Sequence, residues 1–379
     1  MNIAFLTPEY PLQRFRSSGG IGTSILNLAK GLIGSGHSVS ILVYGQDSDA
    51  IFKEDGITFY SIKNVKVKGF SWLLTRKKIG KLIDALYFEK KIDLVEAPDW
   101  TGITSFMKIN CPIVIREHGT DTYFCHLDSR KVKFKNYIHE KIALRKASGV
   151  IAVSEFTGNL TNKLFKLNRP FTVIPNAVDS SFFVPENQVS NDTILYFGSL
   201  IRKKGLLELP LIFNEVVAQN PHAKLILIGK DVPDILTKSA STWQMMQLLF
   251  SEKALKNTLY KGGVDYAEIK NIIIGATVCV FPSFAEALPV SWLEAMAMGK
   301  PVVASNIGWA SEIVDDGVDG FLVNPKEHQL YAAKILQLLD DSNLRSSFEK
   351  NARTKICERF DLEIVVAKNI AFYRSVIEK

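Results

Sequence analysis

Four cysteines in 379 residues are too few for a disulfide framework, and Cys111, Cys125, Cys279 and Cys357 show neither metal-ligand nor redox spacing. They read as reduced thiols, as expected of a cytosolic protein. Long hydrophobic spans are missing too. The longest largely apolar run, Ile272 to Phe284, is interrupted by Gly275 and Pro282 and falls short of the roughly 18 to 20 residues that cross a bilayer. The start, MNIAFLTPEYP, lacks a basic flank and reaches Glu9 at once, so no secretory leader is expected. Low-complexity segments and short repeats are also absent.

What is present is an ordinary globular composition, 47% hydrophobic and 22% charged, on a chain long enough for two domains. The charge is uneven. Residues 1 to 170 hold 25 Lys and Arg against 15 Asp and Glu, a net of +10, while the remainder carries −3. A basic first half suits an anionic partner or is a solvated surface. Two segments, KNVKVKGFSWLLTRKKIGK (63 to 81) and RKVKFKNYIHEKIALRK (130 to 146), interleave cations with Phe, Trp, Leu, Val and Ile. That mixture fits an anionic membrane surface. Nucleic acid is not expected, because no nucleic-acid-binding motif accompanies the charge.

Along the chain, NIAFLT reads as a strand, PEYPLQRFRSSGG as a loop, IGTSILNLAKGLIGSG as an amphipathic helix and SVSILVY as a second strand. This is a βαβ unit, for which a parallel sheet is the default. IDLVEA, PIVIRE, GVIAVS and FTVIPNAVD continue the series as strands. After the polar stretch PENQVSND the pattern restarts with TILYFGSL, AKLILIGK, TVCVFPS and PVVAS as strands between helices. The expectation is α/β: two Rossmann-like, doubly wound parallel-sheet domains facing a crevice. The first would span 1–180 and the second 181–358, with a last helix over 359–379. Ligands of such sheets sit beyond the carboxyl ends of the strands.

Loops at those ends carry the candidate chemistry. RSSGGIGT (16 to 23) sets Gly19, Gly20 and Gly22 before a helix, where backbone amides can meet a phosphate or simply turn. It does not match G-x-G-x-x-G, which argues against a nicotinamide dinucleotide. FGSLIRKKG places Arg202, Lys203 and Lys204 together. Three cations at a helix start oppose its macrodipole, a cost more readily met if an anion binds there. REHGTD sets His118 at a strand end, with Asp121 placed to orient the imidazole or cap the next segment. FAEALPVSWLEAMAMGKPVVAS is the oddest stretch, apolar on almost every helical face yet carrying Glu286 and Glu294. A helix apolar all round is normally buried, and a buried carboxylate needs donors. Amides of Ala287 and Leu288 could receive a phosphate, and two ribose hydroxyls would satisfy Glu294.

This last stretch resembles the E-x7-E signature of the family-4 retaining glycosyltransferases, which have the GT-B architecture. GGIGT, the His-Gly of REHGTD, AVSEFT, VIPNAVD, FGSLIRKKG and EIVDDGVDGFLVNP fit in order over nearly the whole chain. The resemblance implies transfer of a sugar from a nucleoside diphosphate, UDP being preferred to GDP, to a hydroxyl acceptor. It assigns Glu294 to the ribose, and Glu286 and the amides of Ala287 and Leu288 to the donor sugar and its phosphate. Lys204 would neutralise the leaving diphosphate, Gly20 would close on it and His118 would lie near the reacting carbon. It implies no cofactor and no metal, and the last helix returning to the first domain. Ser199 stands where many relatives have a second phosphate-binding arginine, leaving Arg202 as the candidate to compensate, and Ala177 replaces a frequent glycine. The acceptor expected is a glycan, polysaccharide or lipid-linked intermediate at the inner membrane face, the enzyme being cytoplasmic or peripheral there. A nucleotide-sugar epimerase, a phosphorylase and a non-catalytic nucleotide-sugar binding protein remain open as alternatives.

Overall fold

The computed structural model describes residues 1–15, 19–186 and 192–378. Part of the glycine-loop reading (16–18) and part of the polar stretch (187–191) lie outside the described residues. The chain divides into two compact units, Met1–Ala177 with the segment from Leu362 onward, and Val178–Asp361.

The first unit contains β1 (Asn2–Thr7), β2 (Ser38–Gln46), β3 (Ala50–Glu54), β4 (Ile57–Lys63), β5 (Leu94–Pro98), β6 (Ile113–Glu117), β7 (Gly149–Ala152) and β8 (Thr172–Val173). They form one sheet in the order β3-β4-β2-β1-β5-β6-β7-β8. Every pairing is parallel except β3 with β4. That hairpin is an addition to the strands read from sequence. Asp55 and Gly56 both have positive φ, 51° and 76°, as a two-residue hairpin turn matched to strand twist requires. The strand expected over FTVIPNAVD shrinks to the two residues of β8.

β1 and β5 are almost wholly buried, as strands covered on both faces must be. Ile25, Leu28, Ala29 and Leu32 of the helix Gly20–Gly34 join one core cluster, together with Val365, Val366, Tyr373 and Val376 from the last helix, Leu362–Ile377. A Cβ on Gly31 would lie 2.4 Å from Val366, so glycine lets these two helices meet. Polar contacts add to that docking. Arg116 bonds Glu96 through Nε and Nη2 at 2.7 and 2.9 Å, and Tyr373 donates to Glu96 at 2.7 Å. Arg116 also reaches Asn369.

In the second unit β9 (Thr193–Phe197), β10 (Lys224–Ile228), β11 (Thr258–Tyr260), β12 (Val278–Phe281), β13 (Val302–Ser305) and β14 (Gly320–Val323) form an all-parallel sheet in the order β11-β10-β9-β12-β13-β14. Pro210 lies in the first turn of the helix Leu209–Gln219, where its missing N–H removes no helical bond. Among the described residues no helix is long and apolar enough to cross a membrane.

Candidate functional site

In the second unit the loops after β9 and β12 are tied to each other. After β9 the chain makes a single 3-10 turn, Arg202–Lys204, ended by Gly205 at φ 72°. A Cβ on Gly205 would fall 1.8 Å from the Pro282 carbonyl oxygen, so only glycine permits the approach. The Lys203 carbonyl then accepts the amides of Phe284 and Ala285 at 2.8 and 3.2 Å. This backbone clamp sets Lys204 Nζ 3.1 Å from Glu286 Oε1. Ser283 Oγ donates to the same oxygen at 3.3 Å.

Two expectations about this loop change. The three cations do not open a helix, since the helix of this segment begins only at Leu209, and the macrodipole argument does not apply to them. Arg202 is already engaged, with Nε and Nη2 bonding Asp234 at 2.8 and 2.9 Å. Asp234 also accepts the Thr237 amide and hydroxyl at 2.8 and 2.6 Å, and these donors hold its carboxyl far below the usual range. A diphosphate would have to compete with Asp234 for that arginine. Asp234 was not singled out in the sequence, because nothing in its spacing links it to Arg202.

The helix after β12 begins at Val290, with Pro289 as its N-cap. Ala287 and Leu288 therefore precede the helix and are buried. Glu294 lies one turn into this helix and is only 4% exposed. Burial pushes its carboxyl up to about 7, against a hydrogen bond from Tyr266 and the charge of Lys204, which both favour the anion. The Tyr266 hydroxyl donates to Glu294 Oε1 at 2.7 Å. A charged helix residue inside an apolar shell thus has a protein donor that sequence reasoning did not find.

In the first unit Gly20 opens the helix Gly20–Gly34 behind the N-cap Gly19. The amides of Gly19 and Gly22 donate to Glu9 Oε1 at 2.9 and 3.0 Å. A carboxylate of the chain itself sits where the sequence suggested a phosphate, the kind of anion that a helix start attracts. Glu9 was noted in the sequence only as an early charge near the start of the chain.

His118 follows β6 and is half-buried. Its amide donates to Asp99 Oδ1 at 3.1 Å. Burial and the nearby Arg116 charge press its imidazole down to about 3, so the ring is neutral at physiological pH. Asp121 takes neither role proposed for it. Thr120 caps the helix Asp121–Leu127, and the Asp121 carboxylate accepts from Asn136 at 2.8 Å. Glu140 gathers the loops after β5 and β6. It accepts the amides of Thr101, Asp121 and Thr122 and the Thr122 hydroxyl at 3.2, 2.9, 3.3 and 2.6 Å. Burial raises its carboxyl to about 7.

The basic segments of this unit also meet in space. Lys135 Nζ lies 5.3 Å from the Trp72 ring centroid, and Trp72 packs edge-on against Phe106. Phe70, Phe106 and Phe134 are exposed, at 62%, 44% and 76%.

Residues 18–182 match the model of Glycosyltransferase Family 4, and residues 178–355 match that of Glycosyl transferases group 1. The chain belongs to the GT-B glycosyltransferases of the family-4 type. This glycosyltransferase is 26% identical to an uncharacterized glycosyltransferase of Methanocaldococcus jannaschii over all of this chain and 99% of the relative. Its fold is similar to sucrose-phosphate synthase from Thermosynechococcus elongatus, with a TM-score of 0.80, 20% identity and full coverage of both chains. It is also similar to Anabaena HepE in complex with UDP and glucose, with a TM-score of 0.75, 23% identity and 99% of each chain covered.

Proposed function

We propose that this glycosyltransferase moves a sugar from a nucleoside diphosphate to a hydroxyl acceptor with retention at the anomeric carbon and without a metal. The observation that carries the reading is the clamp in the second unit, which fixes a lysine against Glu286 while Glu294 lies buried on the adjoining helix. The bond from the anomeric carbon to the diphosphate breaks with its electron pair going to the diphosphate oxygen, a bond to the acceptor oxygen forms on the same face, and the acceptor hydroxyl's proton passes to the departing diphosphate. Breaking that bond leaves negative charge on the diphosphate, and a preorganised cation in a partly desolvated position is suited to stabilise it. Lys204 supplies that charge, with Arg202 behind it if Asp234 yields. Glu294 takes the ribose hydroxyls, and Glu286 with the Ala287 and Leu288 amides takes the sugar and its phosphate. UDP is the preferred carrier, a choice supported by HepE, whose structure holds UDP and glucose.

The first unit serves the acceptor and the reacting carbon in this reading. Neutral His118 hydrogen-bonds a sugar hydroxyl, and Gly20 meets the diphosphate once Glu9 yields the amides of Gly19 and Gly22. The acceptor is a lipid-linked or polysaccharide intermediate, reached at the inner face of a membrane by the exposed Phe70, Phe106 and Phe134 among lysines. Incubation with UDP-glucose and GDP-mannose, with and without glycan and lipid-linked acceptors, tests the reaction. Nucleoside diphosphate released only with acceptor, and a product keeping the donor's anomeric configuration, are expected. Release without acceptor favours an epimerase or phosphorylase chemistry, and binding without turnover a non-catalytic protein.

A further inference from the structure

Glu294 meets a side chain from a different helix. Tyr266 opens the helix Tyr266–Ile274 and is half-buried. Phe183, itself buried, approaches its ring edge-on with centroids 6.2 Å apart. The Phe183 carbonyl is in turn held by Arg353 Nη1 at 2.7 Å, and the same nitrogen donates to the Ala297 carbonyl at 2.8 Å. Ala297 ends the helix that carries Glu294. The phenol and the carboxylate are therefore braced by a common guanidinium at one remove, and the 2.7 Å hydrogen bond between them closes the frame.

We propose that Tyr266 is a positioning residue of the donor site, whose hydroxyl fixes the Glu294 carboxylate through Oε1 and leaves Oε2 for the hydroxyls of a nucleoside diphosphate's ribose. The proposal rests on the reading that Glu294 binds that ribose. A diol offers two donors, and an ionised carboxylate is acceptor-only, whereas a protonated one spends an oxygen on its own proton. Burial works towards the protonated form, and two groups work against it, the Tyr266 hydroxyl and the Lys204 ammonium. Lys204 is also shared with Glu286. The tyrosine is thus a donor that bears on both the place and the charge of this carboxylate.

Calorimetric titration of UDP and of GDP into the wild type, Tyr266→Phe and Glu294→Gln across about pH 6 to 9 tests it, spanning the shifted carboxyl range. Tyr266→Phe should bind the preferred nucleotide ~10-fold more weakly near neutrality, the loss of one hydrogen bond to a charged group. The ratio of its affinity to that of the wild type should recover as pH rises, because the carboxyl then ionises unaided. Taking the ratio removes titration of the nucleotide's own phosphate. Wild-type affinity in Tyr266→Phe at every pH, or a loss equal at every pH, overturns the proposal, the latter meaning that the hydroxyl acts on the nucleotide without regard to the state of the carboxylate. Glu294→Gln separates the two ideas. If it binds like the wild type, or if the wild type binds neither nucleotide, the ribose reading fails and the tyrosine's role with it. Thermal melting of each variant alone shows that it is folded.

Discussion

The two units differ in what meets the buried acids at their loops. In the second, they meet cations: Glu286 with Lys204 at 3.1 Å and Asp234 with Arg202 at 2.8 Å. In the first, Asp99 and Glu140 meet backbone amides and a hydroxyl, while the buried Arg116 is spent on Glu96. Burial drives Asp99 and Glu117 well above the usual carboxylate range. It also drives His118 and His139 down, to about 3 and about 4. Acids pushed by burial towards their neutral form and neutral imidazoles suit recognition of hydroxyls, while fixed cations suit an anion, so the contrast parallels the proposed division between acceptor and diphosphate.

The strongest way to break that contrast is Lys204→Ala. Turnover should fall about 10²- to 10³-fold, the scale of losing one preorganised stabiliser of developing charge, with little change in melting temperature. Steady-state kinetics near wild type would remove the lysine from the reaction. Next comes Glu294→Ala. A ligand at about 100 times its dissociation constant adds roughly 2.7 kcal/mol, so the nucleotide-induced rise of a few degrees in the wild type should vanish in this variant. A full shift in Glu294→Ala would count against the ribose assignment.

The pH dependence of stability sharpens the comparison. Below the ordinary histidine range the unfolded chain takes up protons that His118 and His139 refuse when folded, so stability is lost as pH falls from 6.5 towards 4. Glu140 acts in the other direction. Its folded pKa is raised, so its contribution is present at low pH and is lost as pH rises from 4.5 to about 7. Urea midpoints measured across this range should show a flatter acid limb in His118→Asn and a flatter neutral limb in Glu140→Gln. Unchanged slopes would mean that these groups titrate as in the unfolded chain. The smallest effect expected is on membrane association. Lys133→Glu with Lys135→Glu should lower pelleting with anionic liposomes, each lysine contributing about 1 kcal/mol. Equal pelleting of the double variant and the wild type, or none by either at low salt, would count against that surface.

The two α/β units were legible because apolar strands and amphipathic helices alternate twice along the chain. Glu286, Lys204 and Glu294 were legible as loop and helix residues after strands, and all three lie in the second unit. The β3–β4 hairpin was missed although Asp55-Gly56 announces its turn, and β11 is too short for periodicity to show. Glu9, Tyr266 and Asp234 went unread for a different reason. Each meets its partner across 10 to 32 positions of sequence, and residue spacing carries no record of which side chains meet after the chain has folded back.

The return of the last helix to the first unit has a consequence for biosynthesis. All residues of the second unit precede Leu362, so on the ribosome it has its whole sequence while the first unit still lacks one helix. The groove beside Gly31, cut to admit Val366, stays open until the helix from Leu362 has been made and has docked. The usual order, in which the N-terminal part matures first, is therefore reversed for the completion of this chain, and a truncation that spares every residue of the proposed chemistry would still leave the first unit unfinished.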